Sequence, residues 1–364
     1  MKFVKAKYEI WDSGECTPKT ILQTIERAAK VCYKSEGNIT ETSAEPFVKG
    51  LIKRGHTSCL EHGSIYLKID IQTLLRADDE CDDRDAYLEF ISKCQNAMVE
   101  DESFNDHRIS GRYEFFANGD VMYFYTNARF VYEKCPVLFW DIILDRKMPE
   151  YISLFTPEKN DPYRRQTVLF TADQRITEEF IRHRVASPNK ESTRYCCYSS
   201  PKHGAELTFI IPPKLKDYIW DGDRPEYVFY ADSLKWKSHN KMIDAPDVEL
   251  LLNAYACAET VYSGLTKNHG WRAEEARIAL PLGTKADLVL TNSLIDWCNG
   301  RPEPVDSYNA NIDAGEVVGK RIKGFFGLRT DSAAHPQARE LAIPLMEDFE
   351  KRGWINVRTD NENV

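Results

Sequence analysis

The sequence predicts a mixed α/β fold of the α+β kind, held in one domain over residues 1–364. Three observations lead there. Apolar residues recur at helical spacing in some stretches, and they alternate at strand spacing in others. No repeat or low-complexity linker divides the chain. With 42% hydrophobic and 29% charged residues, the material for a large buried core is ample.

Taken in order, residues 18–35 place Ile21, Ile25, Ala28 and Cys32 on one helical face. A second helix is expected through EPFVKGLIKR, stopping at Gly55. The polar turn HTSCLEH (56–62) follows, then SIYLKIDI, where Ile65, Leu67, Ile69 and Ile71 alternate as in a half-buried strand. Residues 72–160 carry an acidic run (Asp78, Asp79, Glu80, Asp82, Asp83, Asp85), read as a solvated helix face. They also carry a hairpin signal from Arg112 to Glu133 around Asn118-Gly119. Gln166–Thr171 reads as a strand, and Thr177 with the acids after it suits the start of a short helix ending near Arg182. ELTFIIPP (206–213) is a strand stopped by prolines, and 246–265 is a helix with Leu251, Tyr255, Ala258 and Tyr262 on one stripe. A shorter helix, RAEEARIAL, ends at Pro281. The last helix opens with Pro336, carries Leu341, Leu345 and Phe349 in one row, and closes at Gly353.

Composition narrows the function classes. A net charge of −9 argues against a general nucleic-acid surface, so an anionic ligand needs a local concentration of cations. No stretch nears the roughly 18 apolar residues of a membrane span. The start, MKFVKAKYEIWDSGE, has no apolar core behind its lysines, so a cytoplasmic protein is expected. Ten cysteines are present without a C-x-x-C pair, which predicts mostly buried free thiols and neither a zinc ribbon nor a redox motif. His56 and His62 lack an evident third ligand, so no metal site is expected.

One segment concentrates cations. FIRHRVASPNKESTRY (180–195) packs Arg182, His183, Arg184 and Arg194 around Ser187, Asn189, Lys190, Ser192 and Thr193. Arginine forks and hydroxyls are what a protein needs to grip a phosphate and the edges of a heterocycle.

The order Arg-His-Arg, seven residues, then Ser (Arg182 to Ser192), continued by Thr193-Arg194-Tyr195, resembles the signature of the flavin-dependent thymidylate synthases. Three further blocks agree in chain order. HTSCLEH is similar to the family's flavin-side turn, EEARIALPL (274–282) to its nucleotide-arginine segment, and FFGLRTDSAAHPQARELA (325–342) to its closing motif.

The resemblance implies a homotetramer with FAD bound where subunits meet, and it implies dUMP, NADPH and 5,10-methylenetetrahydrofolate as substrates. By position, His56, Ser58, Arg182, His183, Arg184, Lys190 and Asn292 fall on the flavin side. Glu179, Arg182, Lys190, Glu191, Ser192, Thr193, Arg194, Arg277 and Arg329 fall around dUMP, with Arg329 in the catalytic place. Partners in nucleic acid or membrane are not implied.

Three features depart from the pattern. The family has an acid where this chain has Lys190, so either Glu191 substitutes from the next position or Lys190 makes a different contact. An arginine that often follows the Asn292 position is missing, with Leu294 nearby. Residues 298–323 interrupt the block between Trp297 and Phe325 and, like 72–160, read as an insertion. A related C5 hydroxymethylase is the alternative enzyme, and a degenerate nucleotide- or flavin-binding homologue is the alternative outside catalysis. Cys196 and Cys197 are assigned structural roles, since the family uses no enzyme nucleophile.

Overall fold

The computed structural model describes residues 1–12, 14–76, 84–96, 114–118, 120–218, 226–232, 235–238, 241–298 and 324–355. Among the described residues it is a mixed α/β structure with three sheets. The acidic run from Asp78 to Asp83 and nearly all of 298–323 lie outside the described residues; Asp85 is exposed near the start of the helix Arg84–Asn96.

The central sheet positions the site. Its strands run Lys7–Trp11, Arg165–Asp173, Lys285–Ser293 and Ser187–Lys190 in spatial order, every neighbour antiparallel. The two middle strands are buried almost continuously because helices cover both faces. On one face the first helix, Pro18–Tyr33, closes Ala28 and Val31 against Val289 and Trp11. On the other, Phe180 from the helix Gln174–Ile181 and Leu341, Leu345 and Phe349 from Pro336–Lys351 pack on Phe170, Leu288 and Leu290. Two-sided burial erases the alternation that marks a half-buried strand.

A second sheet pairs Ser64–Asp70 between Val121–Asn127 and Ile152–Leu154, with Glu114–Asn118 at its edge. Its Leu67, Met122 and Phe124 share one core with Ile21 and Ile25 of the first helix and with Tyr87, Phe90 and Phe139. The described parts of 72–160 are therefore packed into this core. The hairpin is present, but its second arm ends at Asn127, whose side-chain oxygen accepts from the Phe130 amide at 3.0 Å and opens a helix over Ala128–Lys134.

A third sheet includes Lys2–Val4, Thr208–Ile210 and Tyr227–Asp232, backed by the helix Pro246–Ser263. That helix buries Val248, Leu252, Tyr255 and Tyr262, whereas Leu251 is half-buried. Tyr255 and Tyr262 of the expected stripe are thus buried, Leu251 and Ala258 only half-buried, and Val248 and Leu252 complete the buried face. Tyr255 stacks on Phe209 with ring centroids 4.3 Å apart.

Candidate active site

The segment 180–195 crosses from a helix end to a sheet edge. The helix begins at Gln174 rather than near Thr177, because Asp173 caps it by accepting from the Ile176 amide at 2.8 Å. Arg182 closes it, His183 turns inward, and Ser187–Lys190 then pairs with Thr291–Leu288 of the core strand. Two bonds tie the segment to the first helix. Asn189 donates to the Ala28 carbonyl at 2.6 Å, and the Ser192 amide donates to the Cys32 carbonyl at 3.0 Å.

Arg329 reaches the same helix from Phe325–Arg329. This short helix is seated by Gly324, where an added Cβ would lie 2.4 Å from the Cys298 carbonyl oxygen. Phe325 packs among Phe170, Phe180, Trp297 and the His183 ring. Arg329 then donates through Nε to His183 Nε2 at 2.9 Å, through Nη1 to Glu179 Oε2 at 3.0 Å, and through Nη2 to the Glu179 carbonyl. A guanidinium only donates, so His183 presents a lone pair at Nε2 and carries its proton on Nδ1. Burial, then the Arg329 charge, pushes the His183 imidazole down to about 4, so it is neutral around pH 7. Burial also lowers the Arg329 guanidinium from its ordinary value; Glu179 opposes this and the nearby Arg182 charge reinforces it.

A more open group lies around Ser192. Arg277 donates to Thr193 Oγ1 at 3.3 Å, and Arg194 reaches Glu274 Oε2 at 3.2 Å. The Arg194 amide donates to Ser192 Oγ at 3.3 Å. Both arginines are exposed. The two groups are linked through adjacent acids of one helix, since Glu178 binds Lys190 at 2.5 Å while Glu179 binds Arg329.

Glu191 faces the other way. Its side chain is fully buried, with Lys34 and Lys285 each 3.0 Å from a carboxylate oxygen, and the Asp287 amide donates to it at 3.2 Å. Burial pushes this carboxyl up, but Lys285 and Lys34 outweigh burial and hold it below the usual carboxylate range. Glu191 is committed to these inward partners, which anchor the loop beneath Ser192.

The turn before the second sheet comes alongside through Tyr33. Its hydroxyl lies 2.9 Å from His56 Nδ1, and its ring sits 5.5 Å from that of Tyr195. Ser58 is exposed, while Asn292 is buried on the core strand with its Nδ2 unpartnered among the described residues. His62 meets Thr291 Oγ1 at 2.8 Å, and burial with the Arg165 charge lowers it to about 3. Arg165, buried, donates to the Glu61 carbonyl and to Ser187 Oγ, both at 2.8 Å, and so joins the turn to the motif strand. Tyr33, Lys34, Arg165 and Lys285 were not singled out by sequence. Only the aromatic-then-lysine end of the first helix offered a local signal.

Of the eight cysteines whose side chains are described, Cys59, Cys135 and Cys196 are buried, Cys257 is exposed, and the others are half-buried. No helix among the described residues is long and apolar enough to cross a membrane.

Residues 17–77 and 166–302, together more than half of the chain, match the family described as thymidylate synthase complementing protein. The chain belongs to this family. The family match takes in Ser58, Arg182–Arg194, Arg277 and Asn292, while Arg329 lies beyond it. Two curated relatives are named flavin-dependent thymidylate synthase. The Pyrococcus furiosus protein is 26% identical over 179 residues, 49% of this chain and 51% of that protein. The Pyrococcus abyssi protein is 28% identical over 178 residues, 48% of this chain and 50% of that protein. The chain thus spans about half the length of the curated relatives it matches. A crystal structure of a UMP/dUMP methylase, PolB, from Streptomyces cacaoi bound with 5-Br UMP aligns with 96% of this chain and 90% of that one. Its identity is 14% and its TM-score 0.32, too low to bear on fold or function.

Proposed function

We propose that this family member is a flavin-dependent thymidylate synthase, converting dUMP to dTMP with 5,10-methylenetetrahydrofolate as carbon donor and NADPH-reduced FAD as hydride donor. We propose further that it works as a homotetramer with the flavin where subunits meet. Family membership and the relatives' names support the reading. The observation that carries it is Arg329, a half-buried cation whose direction is set in advance by Glu179 and His183.

The residues present suit a flavin. Asn292 keeps a buried amide donor unpartnered, and the side chains of Arg182 and Arg184 make no hydrogen bond or ion pair with another described residue. Such donors match ring carbonyl and phosphate oxygens. When bound, the reduced flavin supplies the hydride. On this reading His56, Ser58, Arg182, His183, Arg184, Lys190 and Asn292 form its side of the site.

Toward dUMP, the exposed forks of Arg194 and Arg277 bind the 5′-phosphate, which carries nearly two negative charges. Ser192 adds a hydroxyl and Thr193 orients Arg277. Arg329 faces the uracil imide and stabilises the negative charge that makes carbon 5 nucleophilic. His183, neutral and accepting, fixes the guanidinium plane and takes no proton. Glu191 supports the loop from beneath, and Lys190, held by Glu178, adds a cation beside it.

Purified protein would be incubated with FAD, NADPH, methylenetetrahydrofolate and dUMP, and the nucleotide identified by mass spectrometry. Flavin-dependent dTMP is the expected product. A hydroxymethyl group at carbon 5 would assign the related hydroxymethylase instead, and unchanged dUMP would overturn the synthase reading.

A further inference from the structure

A crevice of about 730 Å³ opens on the flank of the central sheet, and no residue assigned above to flavin or dUMP lines it. None of Ser192, Thr193, Arg194, Arg277 or Arg329 lines it. Lys2, Lys5, Lys7, Lys34 and Lys285 do, in a chain whose net charge is −9. Gathering five lysines against that overall sign costs self-repulsion unless counter-charge is supplied. Glu191, behind Lys34 and Lys285, and three carboxylates of the lining supply part of it. Glu226 pairs with Lys2, and Asp287 pairs with Lys285 while accepting from Thr171 Oγ1 at 2.7 Å; Glu206 is the third. Lys5 and Lys7 are exposed on the rim, and Lys7 has no ion pair with another described residue. His203 also lines the crevice and keeps a buried Nδ1 without a partner among the described residues. The volume falls in the range of small-molecule sites, roughly 300–1,000 Å³.

We propose that this crevice is a second anion site, which takes a linear oligophosphate, free or carried on a nucleotide, and acts on the Ser192 loop through Glu191. Five separate ammonium groups suit an anion that carries several phosphates better than one compact anion, because each is a separate point charge. The link is direct. Lys34 and Lys285 line the crevice, and the same two lysines hold Glu191, the residue before Ser192. An oligophosphate drawing on either lysine weakens its grip on Glu191 and shifts the loop. Binding stands without the synthase reading; the coupling to dUMP rests on it.

The test is isothermal titration of the full chain, saturated with FAD and dUMP, with sodium tripolyphosphate at low salt, beside the double variant Lys5→Ala/Lys7→Ala and the cradle variant Arg277→Ala. One site per chain is expected, weakened about tenfold in the double variant and unchanged in Arg277→Ala. Absence of binding overturns the proposal, as does a loss that follows Arg277→Ala but spares the lysine variant. Orthophosphate binding as tightly as tripolyphosphate overturns the oligophosphate class. A nucleoside triphosphate binding like tripolyphosphate assigns recognition to the phosphates alone, and tighter binding assigns a contribution from the nucleoside; both uphold the class. For the coupling, tripolyphosphate is expected to change KM for dUMP in the wild type and not in the double variant. An unchanged wild-type KM with binding intact removes the coupling, and intact binding without synthase activity removes only the synthase reading.

Discussion

The corner around Arg329 and the cradle around Ser192 are built from similar residues in opposite ways. Arg329 is half-buried, and its Nε, Nη1 and Nη2 donate to His183 or Glu179 at 3.0 Å or less. Arg194 and Arg277 are exposed, and their contacts run from 3.2 to 3.4 Å. The first arrangement fixes a charge before any ligand arrives, so no reorganisation is spent at the moment of reaction. The second leaves the forks able to turn onto an incoming phosphate. A catalytic cation belongs in the first setting and a binding cation in the second, so substitutions there should separate turnover from affinity.

The largest effect is expected from Arg329→Ala. Turnover should fall by about 10²–10³-fold or more, with flavin absorbance and subunit assembly retained. Arg329→Lys should not rescue it, since one ammonium cannot reproduce the planar fork held by Glu179 and His183. Turnover near wild type in either variant would remove the contrast between corner and cradle.

The corner should also reveal itself through pH. His183 falls to about 4 in the folded protein from an ordinary value of 6.5. Between those values the unfolded chain binds the proton and the folded one does not, so stability is full above pH 6.5 and declines as pH falls toward 4. The loss is on the order of 2–3 kcal/mol. Urea midpoints from pH 7 to 4.5 should fall less steeply in His183→Gln, which keeps an acceptor for Arg329 but cannot titrate. His62 adds a slope of the same sign in both proteins. Identical slopes would mean that His183 is not held neutral.

In the cradle the effects are smaller. Ser192→Ala should weaken dUMP binding by roughly 3–10-fold, the size of one neutral hydrogen bond, while kcat stays near wild type. Equilibrium binding and steady-state kinetics together check this. An unchanged affinity would take Ser192 out of the cradle, and a loss confined to kcat would place it in the corner's class.

The contrast itself was not legible in the sequence, although most of its parts were. The Arg182–Ser192 segment could be read because its residues are contiguous. Arg329 could be placed by the resemblance alone, not by the partners that set it, since Glu179 stands 150 positions away. The first and last helices were readable from their single apolar faces. The core strand Lys285–Ser293 was not read, because helices bury both of its faces and leave no alternation to detect. Glu191 shows the limit most clearly. Sequence placed it beside Lys190 as a candidate for the missing acid, whereas the fold turns it inward onto Lys34 and Lys285, from elements that meet it only in three dimensions.

The smallest effect is expected at the paired thiols beside the cradle. Burial, then Glu191, pushes the Cys196 thiol up to about 12, so it stays protonated at neutral pH and is a poor nucleophile. Its sulfur donates only weakly to the Cys32 carbonyl at 3.7 Å, so little hydrogen bonding is lost in a serine variant. Cys197 lies 3.2 Å from Ser199 Oγ and is likewise replaceable by a hydroxyl. The double variant Cys196→Ser/Cys197→Ser should therefore keep turnover within about twofold, at the cost of the small stability change usual when a buried thiol gains polarity. Total loss of turnover with folding and flavin binding intact would force a covalent route, in which a thiol rather than the Arg329 corner activates the uracil ring.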